Sequence, residues 1–160
     1  MTAFSELLPV HDKSSFFCGV SVLDSYIKER ARLDVKRGLC AVHVLAEGKK
    51  ILGFYTLSPF TMQLQSLPAE LSRKYPRNLM LPCWLLGRLA VDNKYKCQRI
   101  GETLLMDAET RVLALSKEAG GYCLVVDAIN QQVKPFYEKY GFKPVLDDYL
   151  RLYLPLASIL

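Results

Sequence analysis

The sequence predicts an α/β fold, a mixed central sheet flanked by helices, and three features carry that prediction. Residues 83–91 and 122–128 are short, nearly continuous apolar runs of the kind that form strands buried on both faces. Between them lies the most strongly helical segment of the chain, with Ile100, Leu104, Ala108, Val112 and Leu115 on one face and Gly120-Gly121 as its stop. Earlier, two strand-like runs at 41–46 and 51–57 flank Glu47-Gly48-Lys49-Lys50, a hairpin signal that adds antiparallel pairing.

The remaining elements follow in order. A helix is signalled at Ser21, whose hydroxyl and Asp24 make a capping pattern. Leu23, Ile27, Ala31 and Val35 continue it as an apolar stripe that ends at Gly38. Lys28, Arg30, Arg32, Lys36 and Arg37 fall mostly off the stripe and make the helix basic. Residues 67–74, opened by Ser66 and Pro68 and closed before Pro76, form a short helix. After the second buried strand come a short helix at 131–140, ended by Gly141, and a last strand at 150–156. Strand, helix, strand in the second half requires a parallel pair.

The chain has 160 residues, enough for a single domain over 1–160. With 51% hydrophobic and 23% charged residues it is neither disordered nor fibrous. No apolar run approaches the roughly 18 residues of a spanning helix, and the N-terminus lacks a basic-then-apolar signal. A cytoplasmic protein with no membrane association is the expectation. Cys18, Cys40, Cys83, Cys97 and Cys123 stand singly, which suits a reducing compartment. Only two histidines, His11 and His43, are present and no Cys/His cluster forms, so no metal is expected. The net charge of +5 permits a polyanionic partner without choosing one.

Two junctions could carry chemistry. At the first, Arg88-Leu89-Ala90-Val91-Asp92 leads through Asn93-Lys94-Tyr95-Lys96-Cys97-Gln98-Arg99 straight into the strongest helix at Ile100-Gly101. Free backbone N–H groups and the positive end of the helix dipole make such a turn a fit for a pyrophosphate, with Lys94, Lys96 and Arg99 adding charge at its mouth. Read alone, the same turn is more readily an ordinary strand-to-helix connection with basic residues in water. At the second, the strand end Asp127-Ala128-Ile129-Asn130 precedes Pro135-Phe136-Tyr137-Glu138-Lys139-Tyr140-Gly141-Phe142. Tyr137 and Tyr140 are three residues apart on one helical face, either as reactive phenols or as core aromatics.

Taken together, the junctions resemble the Gcn5-related N-acetyltransferase (GNAT) family. Phe17-Cys18-Gly19, Leu23-Asp24-Ser25-Tyr26, Gly53-Phe54-Tyr55-Thr56-Leu57-Ser58, Leu85-Leu86-Gly87-Arg88-Leu89-Ala90-Val91-Asp92, Val126-Asp127-Ala128 and Phe136-Tyr137-Glu138-Lys139-Tyr140-Gly141-Phe142 occur in that order. The ordered set, spanning nearly the whole chain, is similar to the TacT-type toxins of type II toxin–antitoxin modules. The resemblance implies a GNAT fold of six to seven strands and about four helices, with a splayed strand pair at the cofactor site. It implies acetyl-CoA as donor, acetylation of the α-amino group of aminoacyl-tRNA, a block of translation, and restraint by a ribbon-helix-helix antitoxin. Relatives often form homodimers.

Carried over residue by residue, Leu89, Ala90 and Val91 would pair with the pantetheine arm. Lys96, Cys97, Gln98, Arg99, Ile100, Gly101 and Glu102 would cradle the pyrophosphate, with Asn130 and Phe136 as further cofactor contacts. Tyr137 matches the general acid. Arg30, Arg77 and Arg88 are candidates for tRNA contact. The family loop usually reads Gln-Gly-x-Gly-x-Gly, whereas Lys96-Cys97-Gln98-Arg99-Ile100-Gly101 keeps only the last glycine. The expectation is that Arg99 is already helical, so that its side chain loses nothing by replacing glycine.

A thioester is attacked by a neutral amine. An α-amino group, near pKa 7.7–8.0, is far closer to neutral than a lysine near 10.4. No obvious buried base accompanies the motifs, which leans toward an α-amine. A backbone N–H at the break in 89–91 would stabilise the oxyanion, and Tyr137 would protonate the leaving thiolate. Two alternatives remain open: a GNAT enzyme acting on a protein N-terminus or a small-molecule amine, and an inactive GNAT-fold binding module.

Overall fold

A computed structural model describes residues 1–159. Among the described residues, seven strands pair in the order β1-β2-β3-β4-β5-β7-β6. They are β1 (Thr2–Glu6), β2 (Ala41–Glu47), β3 (Lys50–Gln63), β4 (Met80–Val91), β5 (Cys123–Asp127), β6 (Lys143–Pro144) and β7 (Arg151–Pro155). β1 and β2 pair antiparallel, as do β2 and β3 across the hairpin, while β4 and β5 are parallel. β7 runs antiparallel to both β5 and β6. The helices are α1 (Ser21–Ser25), α2 (Ala31–Lys36), α3 (Ala69–Ser72), α4 (Ile100–Ala119) and α5 (Lys134–Lys139). The mixed, helix-flanked sheet is the one the apolar runs predict. The crossover between the parallel pair is α4, as strand–helix–strand order requires.

The chain forms two compact units, Met1–Ser58 with Gly87–Thr110, and Pro59–Leu86 with Arg111 onward. In the first, Phe16, Leu23, Tyr26, Ile27, Ala31, Val44, Phe54 and Ala90 form one core. In the second, Leu67, Leu81, Cys83, Cys123, Val125 and Tyr153 form another. The near-continuous apolar runs are explained by burial on both faces: Val42 to Ala46 of β2, and Cys123 to Val126 of β5, are all buried.

Several local expectations need correction. Ser21 does not cap its helix: Val20 occupies the N-cap position without a side-chain bond, and Asp24 instead accepts the N–H of Cys18 at 2.7 Å. A π-helical turn at Tyr26–Arg30 joins α1 to α2. The wider turn shifts the stripe, so Leu23, Ile27 and Ala31 are buried but Val35 is exposed and Asp34 takes its place inside. Leu115 is likewise exposed on α4, where Leu105 joins the buried face instead. The helices expected at 67–74 and 131–140 contract to α3 and α5. β3 runs six residues past its expected end at 57, to Gln63.

Candidate functional site

In the first unit the site begins where β4 outruns its partner. The β4–β5 ladder extends from Cys83↔Cys123 to Leu86↔Val126, and β4 then continues through Arg88 to Val91. Beyond it Asp92, a residue to which the motif reading gave no role, is almost fully buried. One of its carboxylate oxygens accepts the N–H of Lys94 at 2.9 Å, capping the 3-10 turn Asn93–Tyr95, and the other accepts the N–H of Phe17 at 3.1 Å. The backbone adds Asp92 N–H to Leu52 O and Asn93 N–H to Phe17 O, each at 2.8 Å. Asx-turn chemistry at a strand end was the available signal; the partner Phe17 lies too far along the chain to be inferred.

Residues 96–102 form the next stretch. Cys97 and Arg99 both have positive φ, 65° and 60°. Arg99 is therefore not helical, against expectation; α4 starts at Ile100. The physical reason is that left-handed residues set among others turn successive backbone N–H groups to one side, the conformation of anion-binding nests. Each non-glycine residue there costs roughly 1–2 kcal/mol. The first helical bond runs from Thr103 N–H to Arg99 O at 3.0 Å. Among the described residues, no hydrogen bond uses the N–H groups of the six residues from Cys97 to Glu102. That row, opening the 20-residue α4, fits a pyrophosphate through both its donors and the helix dipole. The charge at the rim comes from the exposed Lys94 and Arg99 side chains. The Lys96 ammonium turns away instead and donates to the carbonyl of Cys18 at 3.0 Å.

Gly53 sets the depth at which this machinery sits. A Cβ at Gly53 would lie 2.9 Å from the carbonyl oxygen of Ala90 and 2.8 Å from Leu104 Cδ1. Only glycine lets β3 approach β4 and the first turns of α4 this closely. Ala90 is buried, whereas Leu89 and Val91 are half-buried on the opposite face of the strand.

In the second unit the candidate residues gather at α5. Asn130 is exposed, and its side-chain oxygen accepts the N–H of Val133 at 3.1 Å, turning the chain into the helix. Tyr137 is 5% exposed. Its ring meets Phe136 edge-on at 5.1 Å and Phe142 at 5.7 Å between centroids. Phe136 also contacts Tyr140 at 5.3 Å, so it sits against both tyrosines. Burial, and secondarily the negative charge of Asp127, push the Tyr137 phenol above its ordinary range near 10. It therefore stays protonated at neutral pH. Asp127 is itself held by a two-pronged pair with Arg151, at 2.7 and 3.1 Å, whose guanidinium lies 4.7 Å over the ring of Phe60.

The candidate nucleic-acid contacts differ in setting. Arg30 and Arg77 are exposed, and Arg30 lies 3.9 Å from Asp34. Arg88 is half-buried, stacked 3.6 Å over the ring of Tyr26. The other cations of the basic helix, Lys28, Arg32, Lys36 and Arg37, face solvent. No group of three or more potential metal ligands occurs among the described residues.

Comparison with known proteins gives the arrangement its family. The chain is 30% identical over 143 residues to a tRNA-acetylating toxin of Mycobacterium tuberculosis, covering 89% of this chain and 85% of that one. It is 27% identical over 158 residues to a probable toxin TacT of Sinorhizobium fredii, covering 93% and 87%. Among solved structures, a tyrosine-to-phenylalanine variant of KacT superposes with a TM-score of 0.94 at 29% identity over 99% of this chain and 96% of that one. AtaT complexed with acetyl-methionyl-tRNAfMet gives a TM-score of 0.92 at 26% identity, covering 99% and 97%. A variant AtaT bound to the C-terminus of the antitoxin AtaR and acetyl-CoA gives 0.86 at 25%, covering 99% and 96%. The family model for the acetyltransferase (GNAT) domain matches residues 38–144, most of the chain and both junctions, and the protein is a member of the GNAT acetyltransferase family.

Proposed function

We propose that this protein transfers the acetyl group of acetyl-CoA to the α-amino group of an aminoacyl-tRNA, and so acts as a translation-blocking toxin. The observation that carries the donor half is the row of six unpartnered amides from Cys97 to Glu102 at the start of α4. The acceptor half is supported by the similarity to a tRNA-acetylating toxin and to AtaT in complex with acetyl-methionyl-tRNAfMet. In this reading the whole chain works as a single cytoplasmic acetyltransferase domain. It forms a homodimer, and a ribbon-helix-helix antitoxin restrains it.

Acetyl-CoA supplies an activated acetyl thioester. The amides of residues 97–102 bind its pyrophosphate, with Lys94 and Arg99 adding charge, and the free edge of Leu89, Ala90 and Val91 pairs with its pantetheine arm. Asn130 and Phe136 contact the same ligand. Arg30, Arg77 and Arg88 meet the phosphates of the tRNA. An α-amine with pKa near 7.7–8.0 supplies its own neutral fraction at pH 7, so no side-chain base is required: its N–C bond forms as the C–S bond breaks, and the nitrogen's surplus proton goes to water. Tyr137 holds its proton at the phenol oxygen until the thiolate departs, and donates it there.

The test is transfer of label from radioactive acetyl-CoA to bulk charged tRNA. Label should enter the tRNA fraction and leave with the amino acid on mild deacylation. Label appearing only on peptide N-termini or small amines would overturn the tRNA assignment while keeping the enzyme class.

A further inference from the structure

Tyr26 opens the π-helical turn that joins α1 to α2, and π turns within helices often mark functional positions. The residue is buried, and its hydroxyl donates to Asp34 at 2.9 Å while Cys40 Sγ lies 3.3 Å away. On the face of its ring lies the guanidinium of Arg88, 3.6 Å from the centroid. Arg88 and Ala90 are two apart on β4 and share a face, and Ala90 belongs to the same core as Tyr26.

What this arrangement lacks is an acid for Arg88. Among the described residues, the half-buried guanidinium makes no ion pair and no side-chain hydrogen bond. A guanidinium withdrawn partly from water gains from a partner, and here the ring supplies it. Asp34, on the far end of the Tyr26 phenol, accepts from its hydroxyl and lies 3.9 Å from Arg30, and makes no ion pair with Arg88. The hydrogen bond to Asp34 enriches the electron density of the ring face that holds the cation. At 3.6 Å from the centroid the guanidinium lies against the ring face, a contact that uses its π face and none of its N–H donors. A guanidinium whose donor fork is uncommitted is suited to two-pronged recognition of a phosphate. Arg88 lies in the part of β4 beyond its ladder with β5 and directly precedes Leu89, the first residue proposed to pair with the pantetheine arm.

We infer that Tyr26, held by Asp34, is a positioning residue that aims Arg88 at a phosphate close to the reacting amine, at the 3′ end of the tRNA acceptor. The inference rests on the proposed tRNA reading and adds to it a specific anion clamp with a built support. A solvated lysine could supply attraction to the same phosphate, but not a fixed plane.

The experiment measures acetylation of bulk charged tRNA and of a phosphate-free acceptor, an amino acid amide, by the full chain. Variants are Arg88→Ala, Arg88→Lys, Tyr26→Leu, Tyr26→Phe and the double Tyr26→Leu/Arg88→Ala. Arg88→Ala should lower kcat/KM for tRNA about ten- to a hundredfold, mainly through KM, and reduce the salt slope by about one unit. Tyr26→Leu should reproduce most of that loss, and the double variant should be no worse than Arg88→Ala, because the two side chains act as one unit. Arg88→Lys should keep the salt slope yet lose affinity. Each loss should be at least about fivefold larger with tRNA than with the amide, the expectation for a charge-assisted contact that only the phosphate makes. Should Tyr26→Leu fail to bind acetyl-CoA as a folded protein, the cycle is run with Tyr26→Phe, which keeps the ring but cuts the bond to Asp34. Additive losses, or equal losses on tRNA and amide, would overturn the positioning role and leave the tRNA assignment standing. A wild-type chain that acetylates the amide but not charged tRNA would overturn both.

Discussion

Replacing Asp92 by Asn tests whether the segment around Phe17 shapes the cofactor loop. The carboxylate is 3% exposed, and its two oxygens accept separate N–H groups, from Phe17 at 3.1 Å and Lys94 at 2.9 Å. Asparagine offers one oxygen, and its amide group would turn N–H donors toward an N–H donor. One charge-assisted bond is lost and one buried donor left unpaired, which together amount to about 2 kcal/mol. For a chain of this length that lowers Tm by roughly 4–8 °C. The effect then passes to the site: Asn93 N–H still bonds Phe17 O, but the turn that leads into residues 96–102 loses its cap. Affinity for acetyl-CoA should fall about tenfold, as expected when several donors must be aligned together. Thermal melts and calorimetric titration measure both quantities. A lower Tm with unchanged affinity would show that the anchor does not shape the loop. Lost affinity with an unchanged Tm would show that Asp92 acts on the ligand and not through the fold.

Further outcomes follow from individual positions. Tyr137→Phe keeps the buried ring, so acetyl-CoA affinity should hold while kcat falls about 10²–10⁴-fold in a steady-state assay; Tyr140→Phe is the control and should retain activity. Gly53→Ala places a Cβ 2.9 Å from the Ala90 carbonyl oxygen and should destabilise the fold by about 1–3 kcal/mol, read by denaturant titration. Burial raises the pKa of Glu109, so its folded form binds a proton more tightly than the unfolded form. Stability from this group is present below the ordinary glutamate range and lost as pH rises through the raised value, so Glu109→Gln should raise Tm at pH 7 and have little effect near pH 4. Arg99→Gly removes a left-handed penalty of roughly 1–2 kcal/mol, against about 0.5–1 kcal/mol of glycine backbone entropy. The melt should therefore rise slightly, or at least not fall.

Strands β2 and β3, the core of β4 and β5, and helix α4 were all legible because each announces itself locally, by an apolar run or a four-residue stripe. β1 was not: Thr2-Ala3-Phe4-Ser5-Glu6 is an edge strand with no buried residue and therefore no apolar period to read. β6, two residues long, carries no pattern at all. The error at Val35 has a different origin. The stripe was real, but a π turn inserts extra backbone and rotates everything after it, which no periodicity count anticipates. Within the site, the free amides could be expected from a strand running into a helix. The links that brace them could not, since Lys96 reaches Cys18 and Asp92 reaches Phe17 across 78 and 75 residues of sequence.

Those braces also resolve the missing glycines. A loop written Lys96-Cys97-Gln98-Arg99-Ile100-Gly101 has lost the residues that make positive φ inexpensive, yet Cys97 and Arg99 adopt it. Two such residues together cost roughly 2–4 kcal/mol. The loop therefore holds its shape only because something outside it opposes relaxation. Candidates of sufficient size are on either flank: the Asp92 carboxylate with its two N–H partners, the Lys96 ammonium on the Cys18 carbonyl, and α4 docked over Gly53. Charge-assisted bonds of about 1.5–3 kcal/mol each are enough to offset the strain. In this chain, then, the conformation that glycine ordinarily permits is instead imposed by tertiary contacts. Substitutions at residues 17–19, remote in sequence from any ligand-binding motif, should accordingly act on cofactor affinity through the loop.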